Sequence, residues 1–403
     1  MRRPKIPLLA IFPAIVVTLV IALPLAVGSY PLRWPAGSLL PVLVTGGRTG
    51  HPAASAPAPA PPSAAPTGET PLAHVATPWH SGMVQWGVQV YWDDDRSRTV
   101  PQLRRQAVAV ANYLVGLKAN SVVVTFPFFT GTVTSSAVFA SGRTPTPDRL
   151  GTVLDVFREA GLRTALRPLL DEKSLGGLPN WRGSLAPADL SAWFASYRTF
   201  LVPYLVSAQQ HHVTEFVIGA EFSSLEGKAG WQAVVDTGRK YFSGEIGYDA
   251  NWASYVRGPV DMPVRSLGVD AYFPVDAPDS ASVATLVRSW NAWLDRKSTG
   301  ALPRIVLSEV GIPAMRGAYA APGDFSSRST VDPQVQANWY TAVCQVVRQR
   351  RMSGVYWWFV NFDDRLSKPS DASLLDFTGR TATERAVRAC FGSGYAGPGA
   401  AGG

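Results

Sequence analysis

From about Ser81 onward, short apolar runs alternate with longer stretches whose apolar positions recur every three to four residues. The short runs read as buried strands of a parallel sheet, the longer ones as amphipathic helices. Strands are predicted at Gln85–Trp92, Ser121–Phe128, Arg163–Leu170, Glu215–Phe222, Glu245–Asn251, Ser266–Phe273, Arg304–Ile312 and Gly354–Asn361. Helices are predicted at Val100–Lys118, Pro147–Ala160, Pro187–Gln210, Lys228–Tyr241, Ser280–Lys297, Pro333–Arg351 and Ala382–Cys390. Between the fifth and sixth strands, Trp252–Val264 holds at most one helical turn. This alternation predicts an α/β fold, a (β/α)8 TIM barrel over residues 78–395. A doubly wound open sheet is the alternative, but no Gly-rich phosphate fingerprint follows any strand.

Loop lengths orient the barrel. Helix-to-strand connections are short (Ala119-Asn120, Gly161-Leu162, Met352-Ser353), whereas strand-to-helix connections are long (129–146, 171–186, 313–332, 362–380). Barrel enzymes carry their chemistry on the elaborated face, at the C-terminal ends of the strands.

The segment before the barrel has a different texture. Met1–Lys5 is basic, and Leu8–Val27 is an uncharged apolar run long enough to cross a bilayer. Residues 1–30 therefore read as a transmembrane anchor with its N-terminus in the cytoplasm. A cleaved signal peptide ending near Ala26-Val27-Gly28 is the alternative. Either reading places the barrel outside the cytoplasm, membrane-bound or secreted. Residues 31–77, rich in Pro, Ala and Ser, read as an extended linker, and 396–403 as a disordered Gly-rich tail.

Charge and cysteines exclude some functions. The net charge is +8, yet residues 1–50 hold five Lys/Arg and no acid, leaving +3 for the remainder. No basic stripe or nucleic-acid motif accompanies it, so nucleic acid is not an expected partner. Two cysteines, Cys344 and Cys390, fall on late helices. They form either one disulfide of an exported domain or two buried free thiols. No His, Glu or Asp spacing resembles a metal site, and no cofactor is expected. A monomer is expected.

Two apolar strands end in a carboxylate: Glu215-Phe216-Val217-Ile218-Gly219-Ala220-Glu221 and, 88 positions later, Arg304-Ile305-Val306-Leu307-Ser308-Glu309. Burying an ionisable group there carries a desolvation cost. Two carboxyls at one barrel mouth suit glycoside hydrolysis, one protonating the leaving oxygen and the other attacking the anomeric carbon or activating water. Salt bridges to Arg167 or Arg304 are the purely structural alternative. Arg167 ends the third strand, where it can hydrogen-bond the nucleophilic carboxylate and keep it ionised, or serve in a loop salt bridge.

The order of these motifs resembles the clan A glycoside hydrolases, most closely glycoside hydrolase family 113. The resemblance rests on Ile218-Gly219-Ala220-Glu221, Gly247-Tyr248-Asp249-Ala250-Asn251-Trp252, Gly268-Val269-Asp270-Ala271-Tyr272-Phe273-Pro274, Ser308-Glu309-Val310-Gly311 and Tyr356-Trp357-Trp358. It covers residues 82–391 and implies a retaining mechanism with Glu221 as acid/base and Glu309 as nucleophile. It implies that Tyr272 bonds the nucleophile and that Trp358, rather than Trp357, floors the subsite beside the cleaved bond. Ala220 stands where many clan A enzymes carry Asn for the sugar 2-hydroxyl. That contact then comes from elsewhere, with Asn251 as candidate, or is absent. The family's best-known activity implies β-1,4-mannan as substrate. A transglycosylase, a hydrolase of another envelope glycan, and a catalytically silent glycan-binding barrel are the alternatives.

Sugar rings stack their C–H faces on aromatic rings. Trp92, Trp252, Tyr272, Phe273, Trp357 and Trp358 fall at predicted strand ends and are candidates for such a cleft. Trp193, Trp231, Trp290, Trp293 and Trp339 lie on predicted helices and read as core. Asp93-Asp94-Asp95 reads as a solvated, helix-capping loop, Asp363-Asp364 similarly, and His211-His212 as surface residues.

Overall fold

A computed structural model describes residues 70–177, 180–370 and 373–399. Eight parallel strands close into a barrel: β1 (Gln85–Tyr91), β2 (Ser121–Phe128), β3 (Arg163–Leu170), β4 (Glu215–Ala220), β5 (Glu245–Asn251), β6 (Ser266–Asp270), β7 (Val306–Val310) and β8 (Gly354–Asn361). The order around the barrel is sequential, and β1 pairs with β8 to close it. This is the predicted (β/α)8 fold. Helices follow the strands: α1 (Val100–Gly116), α2 (Pro147–Glu159), α3 (Leu190–Gln210), α4 (Gly230–Tyr241), α5 (Trp252–Arg257), α6 (Val283–Asp295), α7 (Pro333–Gln349) and α8 (Thr381–Phe391). The fifth crossover is the six-residue α5, as its missing periodicity predicts.

Local chemistry fixes the helix starts. Thr99 caps α1 in a reciprocal capping box with Gln102, and Thr146, Ser282 and Asp332 cap α2, α6 and α7. Pro147 and Pro333 occupy first-turn positions where a missing N–H costs nothing. Helix α3 starts at Leu190, not at Pro187, because Asp189 accepts from the Ala192 N–H. Strand β4 stops one residue before Glu221, whose φ of +57° takes the chain out of the sheet. Helices α7 and α8 are joined by the Cys344–Cys390 disulfide, with a Cα–Cα distance of 5.6 Å, settling the cysteine alternatives.

The predicted anchor, residues 1–30, and most of the predicted linker lie outside the described residues. Among the described residues, no helix is long and apolar enough to cross a membrane. The final part of the predicted linker belongs to the folded unit: Ala73 N–H donates to Asn112, whose amide donates to the Pro71 carbonyl, and Val75 bonds Ala160. The start of the predicted tail is likewise bonded. Ala396 O accepts from the Val84 N–H, and Pro398 O from Arg351. Residues 71–75 and 396–398 thus both pack at the N-terminal end of the barrel.

Strand alternation sorts side chains between the lumen and the helix layer. Arg163, Ala165 and Arg167 of β3 face inward, as do Asp249 and Asn251 of β5. The outward Tyr248 meets Trp231 on α4.

Candidate active site

Arg167 organises the C-terminal mouth of the barrel. Its side chain is fully buried and each guanidinium nitrogen donates to a different carboxylate: Nε to Asp249 at 2.8 Å, Nη2 to Asp270 at 2.7 Å and Nη1 to Glu309 at 2.5 Å. The second oxygen of Glu309 accepts from the Tyr272 hydroxyl at 2.7 Å. Asp270 also accepts from Ser308 at 2.9 Å. The salt bridge weighed as a structural alternative therefore exists and lies inside the cluster of site residues.

One cation faces three buried acids here, and the titration reflects that imbalance. Burial pushes Asp249 up to about 7, against the pull of Arg167. Burial also drives Asp270 well above the carboxylate range; Arg167 opposes this, while Glu309 and Asp249 add to it. Burial works against the charge of Arg167, yet the surrounding acids hold its pKa above the ordinary arginine value. The Tyr272 phenol is raised by burial and by Glu309.

Glu221 faces this cluster from the end of β4. Its left-handed backbone, unusual for a residue with a side chain, lies beside a bond from its own N–H to Asp249 O. Its carboxyl accepts from Arg182 Nη1 at 2.9 Å and from the Asn251 amide at 2.7 Å. Burial raises its pKa, Arg182 opposes, and the charge of Glu309 raises it further. Asn251 thus reaches Glu221 itself.

The aromatic expectations divide. Trp358 is buried at the mouth, its ring 6.0 Å from the Arg167 guanidinium and edge-on to Tyr91 at 6.2 Å. Trp357, one residue earlier, points the other way and stacks on Tyr340 of α7 at 4.3 Å, so it is helix-layer core. Trp252 begins α5 and packs edge-on against Phe273 and Trp293 of α6. Phe273 lies in the same cluster, stacked on Trp293, and is also core. Trp92 is fully buried against Phe362. None of these four offers a ring face to a cleft.

The acidic loop is solvated in part, with Asp95 exposed, Asp93 half-buried and Asp94 buried. Asp93 pairs with Arg143, Asp94 is buried against Arg149, and only Asp95 forms a local turn, with Ser97. Asp363 pairs with Arg98. His211 is half-buried against Asp155. Among the described residues, no acidic, His or Cys group is arranged to hold a metal ion.

Sequence reasoning gave no role to several site residues. Asp249 and Asp270 were visible as acids at inward positions of apolar strands, two residues before Asn251 and Tyr272. Asp171 immediately follows β3, and Tyr91 ends β1. Arg182 carries no such signal: an antiparallel pairing of Gly176–Gly177 with Asn180–Trp181 and a 3-10 turn deliver it from the long third loop.

A model of glycoside hydrolase family 113 matches residues 102–374. A family 113 β-1,4-mannanase is similar in structure at 17% identity, with a TM-score of 0.65, covering 77% of this chain and 99% of that one. A family 113 β-mannanase from Alicyclobacillus acidocaldarius gives 18% identity and a TM-score of 0.60, covering 77% and 98%. At these identities the structural likeness is one of fold. None of the curated proteins compared with the chain matches it.

Proposed function

Because the chain belongs to glycoside hydrolase family 113, we propose that it hydrolyses a β-linked glycan with retention, Glu309 acting as nucleophile and Glu221 as acid/base. One observation carries this reading. Two buried carboxyls share one barrel mouth, each held by an arginine and a neutral donor, and the charge of Glu309 acts on Glu221. Glu309 accepts from a fixed cation and a phenol. Glu221 is raised by burial, which suits a group that must hold a proton at the start of the reaction.

In the first step Glu221 gives its proton to the glycosidic oxygen as a Glu309 oxygen bonds the anomeric carbon and the leaving sugar departs. Loss of the Glu309 charge removes one of the influences that raised Glu221, so the ionised Glu221 is better tolerated while it awaits a proton from water. Water then bonds the anomeric carbon, the Glu309 ester breaks, and that proton returns to Glu221. Arg167 and Tyr272 hold Glu309 in place through both half-reactions.

The two similar solved structures are named β-mannanases, which makes β-1,4-mannan the first substrate to test. The apolar run 8–27 and the Cys344–Cys390 disulfide support action outside the cytoplasm, since disulfides persist in oxidising compartments.

The test is a reducing-sugar assay on mannans, glucans, xylans and galactans, with NMR of the first-formed anomer. Retention of configuration and a loss of at least about a thousandfold in Glu309→Gln, on the order of 4 kcal/mol, are expected. Inversion, or activity unchanged in Glu309→Gln, overturns the mechanism.

A further inference from the structure

Beside the reacting carboxyls, the ends of β1 and β3 and the long loop after β2 form a second polar cluster with an aromatic margin. Asp171 follows β3 directly. It is buried, and Oδ2 accepts from the Tyr91 hydroxyl at 2.8 Å and from Arg143 Nη2 at 3.1 Å. No partner engages Oδ1 among the described residues. Tyr91 is the ring that meets Trp358 edge-on. Arg182, which donates to Glu221, also donates to the Leu170 carbonyl, and burial raises Asp171 to about 6 against the pull of Arg143 and Arg182. Asp171 is therefore joined to the site on two sides.

Outward from Asp171 the contacts continue. Arg143 is braced by Asp93, its side chain is 46% exposed, and its guanidinium lies 5.4 Å from the centre of the Phe129 ring. Phe129 and Phe139 bridge the two arms of the loop with stacked rings 6.2 Å apart. Phe139 is 49% exposed on the working face. The half-exposed Phe139 ring stacks on Phe129, the half-exposed Arg143 lies over Phe129, and Arg143 pairs with Asp171, so one run of contacts combines an apolar face with directed hydrogen-bonding groups. Pyranose rings call for that combination.

We propose that Asp171, Arg143 and the Phe129–Phe139 pair form a further sugar subsite, adjoining the reacting one. It takes a neutral pyranose whose hydroxyls reach Asp171 and Arg143 and whose C–H face rests on Phe139. This rests on the glycoside hydrolase reading and adds that the chain engages at least one sugar beyond the one whose bond is cleaved. A charged sugar fits less well, because Arg143 is already neutralised by Asp93 and Asp171.

The test uses the full chain carrying Glu309→Gln, titrated with β-1,4-manno-oligosaccharides and cello-oligosaccharides of two to six units, followed by calorimetry. Affinity should rise with length in the parent. Phe139→Ala should remove about tenfold of that rise, and Asp171→Ala at least as much. Phe139 is half exposed, so its replacement should leave the melting temperature in place, and a loss of affinity there reports on the sugar contact. An equal length dependence in the parent and in Phe139→Ala overturns the subsite. If the wild-type chain also cleaves a polymer, the hydrolase reading stands without it. A parent that binds neither series, with a wild type that cleaves no polymer, overturns both.

Discussion

Two arginines on one strand show how the barrel separates support from chemistry. Arg163 and Arg167 both face inward from β3 and both are buried. Arg163 lies at the N-terminal end of the lumen. It donates to Glu215 at 2.7 Å and to the Tyr356 hydroxyl at 3.0 Å, while Tyr356 donates to Gln85 and Ser266 to Glu215. The nearest further acid, Glu245, is 3.8 Å away and half exposed. One cation meets one close carboxylate, and neutral groups complete the network. Arg167 meets three carboxylates, all buried. Between the two lies a cavity of about 20 Å³, lined in part by Gln89, Ala165, Asp249 and Ser308 and large enough for one water. The balanced end works as a plug. At the unbalanced end burial raises Asp249 to about 7 and Asp270 well above the carboxylate range.

Replacing Arg167 should produce the largest effect. Arg167→Met removes the cation from three acids and the donor that orients Glu309. The expected outcome is a fall in kcat/KM of at least about a thousandfold, on the order of 4 kcal/mol. It should be accompanied by a loss of stability of about 3–5 kcal/mol, as when one partner of a buried ion pair is removed. Steady-state kinetics and urea melts measure the two losses separately. Activity retained within tenfold would mean that Arg167 is a plug like Arg163.

The matching change at the other end, Arg163→Met, should cost about 3 kcal/mol in stability. Glu215 retains Ser266 but loses its buried partner. The kcat of the folded fraction should stay within about twofold, a difference of well under 1 kcal/mol. A large drop in kcat with normal stability would break the division between the two ends.

Much of this division could be read from the chain. The repeated strand–helix texture and the long strand-to-helix loops identified both the barrel and its working face. Glu221 and Glu309 stood out because each ends an apolar run. Arg167 was recognisable as a charge in such a run, but its three-way bonding was not, because it joins strands far apart in sequence. Trp357 and Trp358 could be separated only once the inward parity of β8 was fixed by its contacts. Trp92 and Trp252 showed the limit of position as a guide. Each lies where a strand ends, but the chain turns there and sends the ring beneath a neighbouring element. Arg182 depends on the path of one irregular loop, which hydrophobic periodicity does not describe.

A subtler effect concerns stability against pH. Asp249 titrates near 7 in the folded protein, above the value near 4 of an unfolded Asp. The native state therefore binds this proton more tightly than the unfolded state. The resulting stabilisation is present in full below about pH 4 and is lost as pH rises through 7. Asp249→Asn keeps an acceptor for Arg167 Nε and removes the titration. Between pH 4 and 8, its melting temperature should fall less steeply than that of the parent, and thermal scans across that range would show it. Parallel curves would mean that Asp249 does not carry this titration.

The smallest effect is a shift within Glu221 and needs no catalysis to observe. Burial and the Glu309 charge raise its pKa, and Arg182 opposes them. Glu309→Gln removes one raising influence, so the Glu221 carboxyl should titrate lower than in the parent. Arg182→Gln removes the opposing one, so it should titrate higher. Carbon-13 NMR of the labelled side-chain carboxyl follows both shifts directly. Opposite movements in the two variants are the expected result. Movement in the same direction, or none in Glu309→Gln, would mean that the two carboxyls do not share a field, and the proton could not pass to and from Glu221 in step with the charge on Glu309.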